Sequence, residues 1–224
     1  MNIENLQAIQ NELKINIQLK NVFQLSEITL VAGVELAYWS EDKIEYCVCC
    51  IVVIDYRTKE IIEQVEYTGE VDFPYIPGYL AFRELPFIIK AVEQLKNISD
   101  LYMFDGNGYL HSRHMGIATH ASFHLEKPTI GVAKTYLKVG NIDFTMPQNI
   151  VGAYTDIVLN GEVYGRALRT RESVKPIFVS CGNWIDIDTA THITMHFVEK
   201  DSRLPITIRY ADLATHEARR KYKK

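Results

Sequence analysis

Between Leu101 and Leu137 the chain reads LYMFDGNGYLHSRHMGIATHASFHLEKPTIGVAKTYL. The apolar run from Leu101 stops on an acid, Asp105, and passes at once into the loop Gly106-Asn107-Gly108. A second apolar run, Thr129 to Ala133, stops on Lys134. Short apolar runs of this kind are strands buried on both faces, and strands separated by a helical segment pair in parallel through right-handed crossovers. Such a sheet delivers an acid and a lysine to one edge, with a loop carrying His111, Arg113 and His114 between them. That arrangement suits metal-assisted chemistry on phosphate.

The rest of the chain extends this sheet. Met1 to Lys20 reads as an amphipathic helix, with Ile3, Leu6, Ile9 and Leu13 set against polar residues. Ile28–Tyr38, Ile44–Asp55 and Ile61–Thr68 read as three strands whose short connections make an antiparallel meander. FPYIPGY, Phe73 to Tyr79, is an irregular turn, because Pro74 and Pro77 each remove a donor and restrain the residue before them. A helix follows over Leu80–Lys96, and another around Gly116–His124. Asn160-Gly161 signals a hairpin, Ile177–Cys181 a short strand, and the chain ends in helices near Asp188–Val198 and Ile208–Tyr222. The expected fold is α/β: three antiparallel strands, then parallel ones, in a mixed central sheet flanked by helices.

With 224 residues and no internal repeat or linker, one domain over 1–224 is expected. No apolar run reaches the length of a membrane span. Cys47, Cys49 and Cys50 share one strand, the first two facing one side and the third the other, which suits neither a zinc knuckle nor a disulfide framework. A reducing, cytoplasmic setting is expected. The net charge of −4 argues weakly against a nucleic-acid partner. The cluster Arg166, Arg169 and Arg171 and the basic C-terminus soften that objection, as would acids gathered to hold divalent cations.

Glu35, Glu84, Asp105 and Asp212 fall at the ends or starts of elements that the sheet can bring together. A bare carboxylate in an apolar strand costs several kcal/mol unless it is neutralised, paired or metal-bound. For one acid, a salt bridge to Lys134 is the plainer account; for several on one edge, divalent metal binding is the better one. Two cations roughly 3.5–4 Å apart are the arrangement that serves in-line displacement at phosphorus. His111 is placed to orient water or touch phosphate, and Lys134 to bind phosphate as a point charge. Tyr75, at the tip of a proline-stiffened turn, suits a wedge or stack on a nucleic-acid base, although the same turn also suits packing of Phe73 and Tyr79 into the core.

FPYIPGYLAFRE, FDGNGYLHSRHMGIATH, PTIGVAKTYL and IFVSCG resemble the successive motifs of the endonuclease V family, and the resemblance runs from AGVELAY at Ala32 to RLPITIRYAD at Asp212. It implies a ribonuclease H-like fold and Mg²⁺-dependent hydrolysis, with Mn²⁺ able to substitute. Cleavage would fall at the second phosphodiester 3′ to inosine (deaminated adenine) in DNA or RNA, leaving 3′-hydroxyl and 5′-phosphate ends, by a monomer acting in DNA repair. By resemblance the metal acids are Glu35, Glu84, Asp105 and Asp212, with His111 and Lys134 completing the catalytic group. Tyr75 would be the wedge within Pro74, Ile76 and Pro77, and Gly78, Leu80, Gly106 and Ile117 would line a pocket for a flipped base. The chain departs from the family pattern at Glu35, where aspartate is usual, at Cys181-Gly182-Asn183, where Pro-Gly-His is usual, and at Thr207, where proline is usual.

Two other readings remain open at this point. A catalytically weakened inosine- or structure-specific binding module would keep the same fold. A small-molecule phosphotransferase would use the Asp-Gly-Asn-Gly loop to hold a nucleotide.

Overall fold

The computed structural model describes residues 2–223. Helix α1 (Ile3–Lys14) precedes strands β1 (Leu30–Glu41), β2 (Ile44–Asp55) and β3 (Ile61–Glu70), which form the expected antiparallel meander. Helix α2 (Leu80–Val92) leads to β4 (Leu101–Asp105), and α3 (Ile117–Leu125) to β5 (Thr129–Ala133). The hairpin β6 (Tyr154–Leu159) and β7 (Glu162–Leu168) turns at Asn160-Gly161, both at positive φ, and β8 (Ile177–Asn183) follows. Helices α4 (Ile187–His196) and α5 (Ile206–Tyr222) close the chain. The eight strands form one sheet in the order β3-β2-β1-β4-β5-β8-β7-β6, an α/β arrangement of the ribonuclease H-like class.

β4 runs parallel to both β1 and β5, as the helical crossovers require. β8 then adds antiparallel to β5 and passes the sheet on to the β6–β7 hairpin. Helix boundaries differ from the sequence reading by a turn or less at α2 and α5. The N-terminal helix is shorter: it stops at Lys14, and the chain then runs out to bond with the β8 region, where the Gln18 N–H donates to Asn183 Oδ1.

Strand alternation divides the core into two faces. Val31, Leu101, Met103, Ile130 and Val132 face α5, together with Cys50. Ala32, Val34, Tyr102 and Phe104 face α2 and α3, together with Cys47 and Cys49. All four cysteines are free and buried, as their position in the strands implied. No helix among the described residues is long and apolar enough to cross a membrane.

Candidate active site

The two-face rule decides which side chains meet. Counting by twos from the α5 side of each strand, Val31 leads to Glu35, Leu101 to Asp105, and Ile130 to Lys134. Because Gly33 pairs with Met103 and Val34 with Phe104, Glu35 and Asp105 stand at about the same level on adjacent strands. Helix α5 crosses β1 in direct contact at Gly33, where an added Cβ would lie 2.0 Å from the Thr207 carbonyl oxygen. From that crossing, two strand residues to Glu35 and five helical residues to Asp212 each cover about 7 Å. Both acids therefore arrive at the same rim.

Glu35, Asp105 and Asp212 each offer a carboxylate oxygen within 4.8 Å of the others. Lys134 sits among them, its Nζ 2.6 Å from Asp105 Oδ2, 2.9 Å from Asp212 Oδ1 and 3.8 Å from Glu35 Oε2. Burial, then the hydrogen bond and charge of Asp105, push the Glu35 carboxyl well above its usual range in the cation-free site. Burial works against the Lys134 ammonium, but its bonds to Asp105 and Asp212 prevail and hold it charged. Glu35 Oε2 is buried without a hydrogen-bond partner. An orphaned carboxylate oxygen facing two other acids is the kind of group a hard cation satisfies, and an all-oxygen donor set suits Mg²⁺ or Mn²⁺. The residues present fit a divalent metal.

Glu84 does not join this trio. It comes from α2, which covers the opposite face of the sheet, and Tyr38 on that face donates its hydroxyl proton to Glu84 Oε1 at 3.0 Å. Burial pushes the Glu84 carboxyl up to about 7, against the Tyr38 bond and the Arg83 charge, and the charge of Asp105 adds to the rise. Glu84 thus approaches the rim from the other side, close enough to feel Asp105.

The loop after Asp105 is held tightly. The Gly106 N–H donates to the Val132 carbonyl and the Gly108 N–H to Ser180 Oγ. A Cβ on Gly108 would meet the Cys181 carbonyl oxygen at 2.2 Å, so only glycine fits between β4 and β8. With two loop amides already bonded inside the protein, the loop is not a free phosphate cradle, which removes the support for a nucleotide-binding phosphotransferase.

His111 Nδ1 accepts from the backbone N–H groups of Arg113 and Met115, at 3.2 and 3.3 Å, which assigns the ring proton to Nε2. Burial and then the Arg113 and His114 charges push His111 down to about 4, so it is neutral at pH 7. His120 and His124 have ring centroids 5.8 Å apart and form no metal group with the acids.

The Pro74–Gly78 segment projects Tyr75, which is 67% exposed, while Tyr79 is buried as its anchor. Ile76-Pro77-Gly78-Tyr79 is a tight turn closed by the Tyr79 N–H donating to the Ile76 carbonyl, with Gly78 at φ +80°. Tyr79 packs inward as expected, Phe73 is only half-buried, and Tyr75 stands out from the turn. The fully buried Gln10 of α1 donates to the Gly78 carbonyl at 3.1 Å, and Arg113 Nη2 donates to the same oxygen at 2.7 Å. The Arg113 guanidinium also bonds Gln10 and lies 4.3 Å from the centre of the Tyr79 ring. Gly106 abuts Ile117, whose Cγ2 would be 2.7 Å from an added Cβ.

Sequence reasoning missed Gln10, Tyr38 and Ser180. A polar residue on the apolar stripe of α1 was a readable signal for Gln10; Tyr38 and Ser180 carry none. It also misread Arg166 and Arg169. Both are buried, Arg166 against Asp156 and Asp188, and Arg169 against the carbonyls of Pro147 and Gln148. They stabilise the β6–β7 region and offer little charge to a polyanion.

Comparison with known proteins agrees with the motifs and the geometry. The family model "Endonuclease V" matches residues 11–213. Endonuclease V of Bacillus thuringiensis subsp. konkukian is 62% identical, over 98% of this chain and 93% of that protein. The crystal structure of endonuclease V from Bacillus subtilis superposes with a TM-score of 0.97 at 54% identity, covering 100% of this chain and 94% of that one. That of Ciona intestinalis endonuclease V, in complex with a 24mer DNA containing an inosine followed by a ribo-adenosine, gives 0.87 at 27% identity and 99% coverage of both chains. With a near-complete match in sequence and in backbone, and three acids on one rim of the sheet, the chain belongs to the endonuclease V family of nucleases.

Proposed function

We propose that this protein is a Mg²⁺-dependent endonuclease, with Mn²⁺ able to substitute, that hydrolyses a phosphodiester bond on the 3′ side of inosine in nucleic acid. The observation that carries the reading is the convergence of Glu35, Asp105 and Asp212 within 4.8 Å, beside the Gly106 loop. These three would hold a divalent cation, with Glu84 reaching the same ion set from the α2 side. Such an ion, when bound, supplies Lewis acidity that makes water a better nucleophile and stabilises the departing oxygen. Water adds to phosphorus, the bond to the 3′ oxygen breaks, and that oxygen takes up a proton, leaving 3′-hydroxyl and 5′-phosphate ends. Lys134 places a positive charge at the scissile phosphate, and neutral His111 braces the loop behind it.

Tyr75 enters the stack beside the lesion, supported by Pro74, Ile76 and Pro77. The extruded base is read by Gly78, Leu80, Gly106 and Ile117, where backbone groups and close packing exclude an exocyclic amine. The structure of the Ciona relative with inosine-containing DNA supports this substrate class. We place the activity in DNA repair, in the cytoplasm, in a monomer. An RNA-directed activity is the second reading, favoured by the ribo-adenosine that follows inosine in that relative's substrate. Incubation with Mg²⁺ or Mn²⁺ and inosine-containing single- and double-stranded DNA and RNA, beside Glu84→Ala and Asp105→Ala, tests both. Cleavage 3′ to inosine by the wild type alone is expected. Inosine-dependent binding without any turnover would instead show a binding module that has lost catalysis.

A further inference from the structure

Glu84 lies across the sheet from the other three acids, and one hydroxyl holds its carboxylate. Tyr38 faces α2 on β1 and donates to Glu84 Oε1 at 3.0 Å. The Arg83 guanidinium lies 4.6 Å from the centre of the Tyr38 ring, close enough for a cation–π contact. Arg83 is itself buried and fixed at both ends: Nη2 is 2.6 Å from Glu45 Oε1, and Nη1 donates at 2.6 Å to the carbonyl of Phe73. Phe73 opens the turn that carries Tyr75.

We propose that Tyr38 is a positioning residue that fixes the Glu84 carboxylate for the metal site, and that Arg83 ties this arrangement to the Tyr75 turn. The inference rests on the reading of Glu84 as a metal-site acid. With one lone-pair site of Oε1 taken by the phenol, Oε2 is the freer oxygen toward the rim, so the hydroxyl biases which oxygen Glu84 presents. The route from turn to acid is continuous: Phe73 carbonyl, Arg83, Tyr38 ring, Tyr38 hydroxyl, Glu84. A shift of the turn on a substrate strand would move the guanidinium over the ring that holds the carboxylate.

Tyr38→Phe removes one oxygen and keeps the ring beneath Arg83. Partners that orient metal ligands typically contribute 10- to 100-fold in affinity or activity. The variant is expected to bind Mn²⁺ about 10-fold more weakly by calorimetry, with kcat for inosine-DNA cleavage falling by a similar factor. Affinity for the same DNA in EDTA should stay within twofold. In a Glu84→Gln background the same substitution should change Mn²⁺ affinity less than twofold, because the group it orients is gone. Arg83→Lys, which keeps the charge and loses the planar fork, should move Mn²⁺ affinity in the same direction by a smaller factor, and it serves as the test if Tyr38→Phe does not fold. Unchanged Mn²⁺ affinity in Tyr38→Phe, or an equal loss with and without Glu84, overturns the proposal. If the wild type neither binds Mn²⁺ nor cleaves, it is the nuclease reading that fails.

Discussion

Among the described residues Lys134 is the one lysine or arginine in contact with the trio of acids, and replacing it with methionine tests whether that trio is built for positive charge. In the cation-free protein its ammonium bonds Asp105 at 2.6 Å and Asp212 at 2.9 Å. Removing one partner of a buried ion pair costs about 3–5 kcal/mol, whereas exposed pairs contribute roughly 0–1 kcal/mol. The Lys134 side chain is 36% exposed and Asp105 12%, so the value falls between those limits, at about 2 kcal/mol. Urea unfolding in EDTA at neutral pH should show that deficit in Lys134→Met with an unchanged m-value. Saturating Mg²⁺ replaces the lost charge, and the deficit should shrink to below about 0.5 kcal/mol. By linkage, the roughly 1.5–2 kcal/mol that Mg²⁺ restores corresponds to about 10- to 30-fold tighter cation binding by the variant. Cleavage should still fall, because the charge beside the phosphate is gone. Equal stability in EDTA, or a deficit that Mg²⁺ leaves untouched, would refute the argument that lysine and cation answer to the same carboxylates.

Tyr75→Ala should leave stability within about 0.5 kcal/mol, since the ring is 67% exposed, yet weaken inosine-DNA binding by the roughly 1–3 kcal/mol of one base stack, read by fluorescence anisotropy. Gln10→Ala removes the helix α1 brace from the Gly78 carbonyl and leaves Arg113 short of a partner; a loss of about 1–2 kcal/mol by urea unfolding is expected, with reduced discrimination between inosine and adenosine substrates. His111 and His120 are both held near 4, by burial first and neighbouring positive charge second. Their folded forms stay neutral while the unfolded chain takes up protons below about 6.5. Stability is therefore full above that pH and falls as pH drops toward 4, by up to about 1.4 kcal/mol per pH unit for each histidine. Unfolding free energies measured from pH 4 to 7 should show this slope, and a His111→Gln/His120→Gln double variant should flatten it.

Much of the site was readable because strand ends are readable. An apolar run that stops on a charge announces where a side chain leaves the core, and Asp105 and Lys134 were found in that way. Glu35 was visible as an acid inside an apolar strand. Asp212 was one of four acids at element ends that the sheet could bring together, and the family motif assigned it to the metal site; its place depends on α5 touching β1 at Gly33 and Thr207. Glu84 was harder still. Whether a helix acid joins a trio or stands across the sheet depends on which face the helix covers, and a strand period of two with a helix period of 3.6 does not settle that. The misreading of Arg166 and Arg169 has a similar cause. Clustered arginines in sequence look like a surface patch until strand β7 turns Arg166 onto acids and the segment just after it turns Arg169 onto carbonyls.

The division of labour between the two faces bears on what such a site can accept. The α5 face contributes Glu35, Asp105, Asp212 and Lys134; the α2 face contributes Glu84, Tyr38, Arg83 and, through Phe73, the Tyr75 turn. Between them lies the Gly106 loop, pinned to β8 through Ser180 and Cys181. The 520 Å³ cavity between β3 and α2 takes in Phe73 and Arg83 but none of the trio. A small molecule gains most of its affinity from a closed apolar pocket. A polymer gains it along its length, and on the proposed function a rim fed from both faces of a sheet would let a strand cross over the acids while a single base is drawn down beside Gly78 and Ile117. On that reading, the geometry that leaves Glu84 outside the trio is what would suit the site to a continuous chain of phosphates.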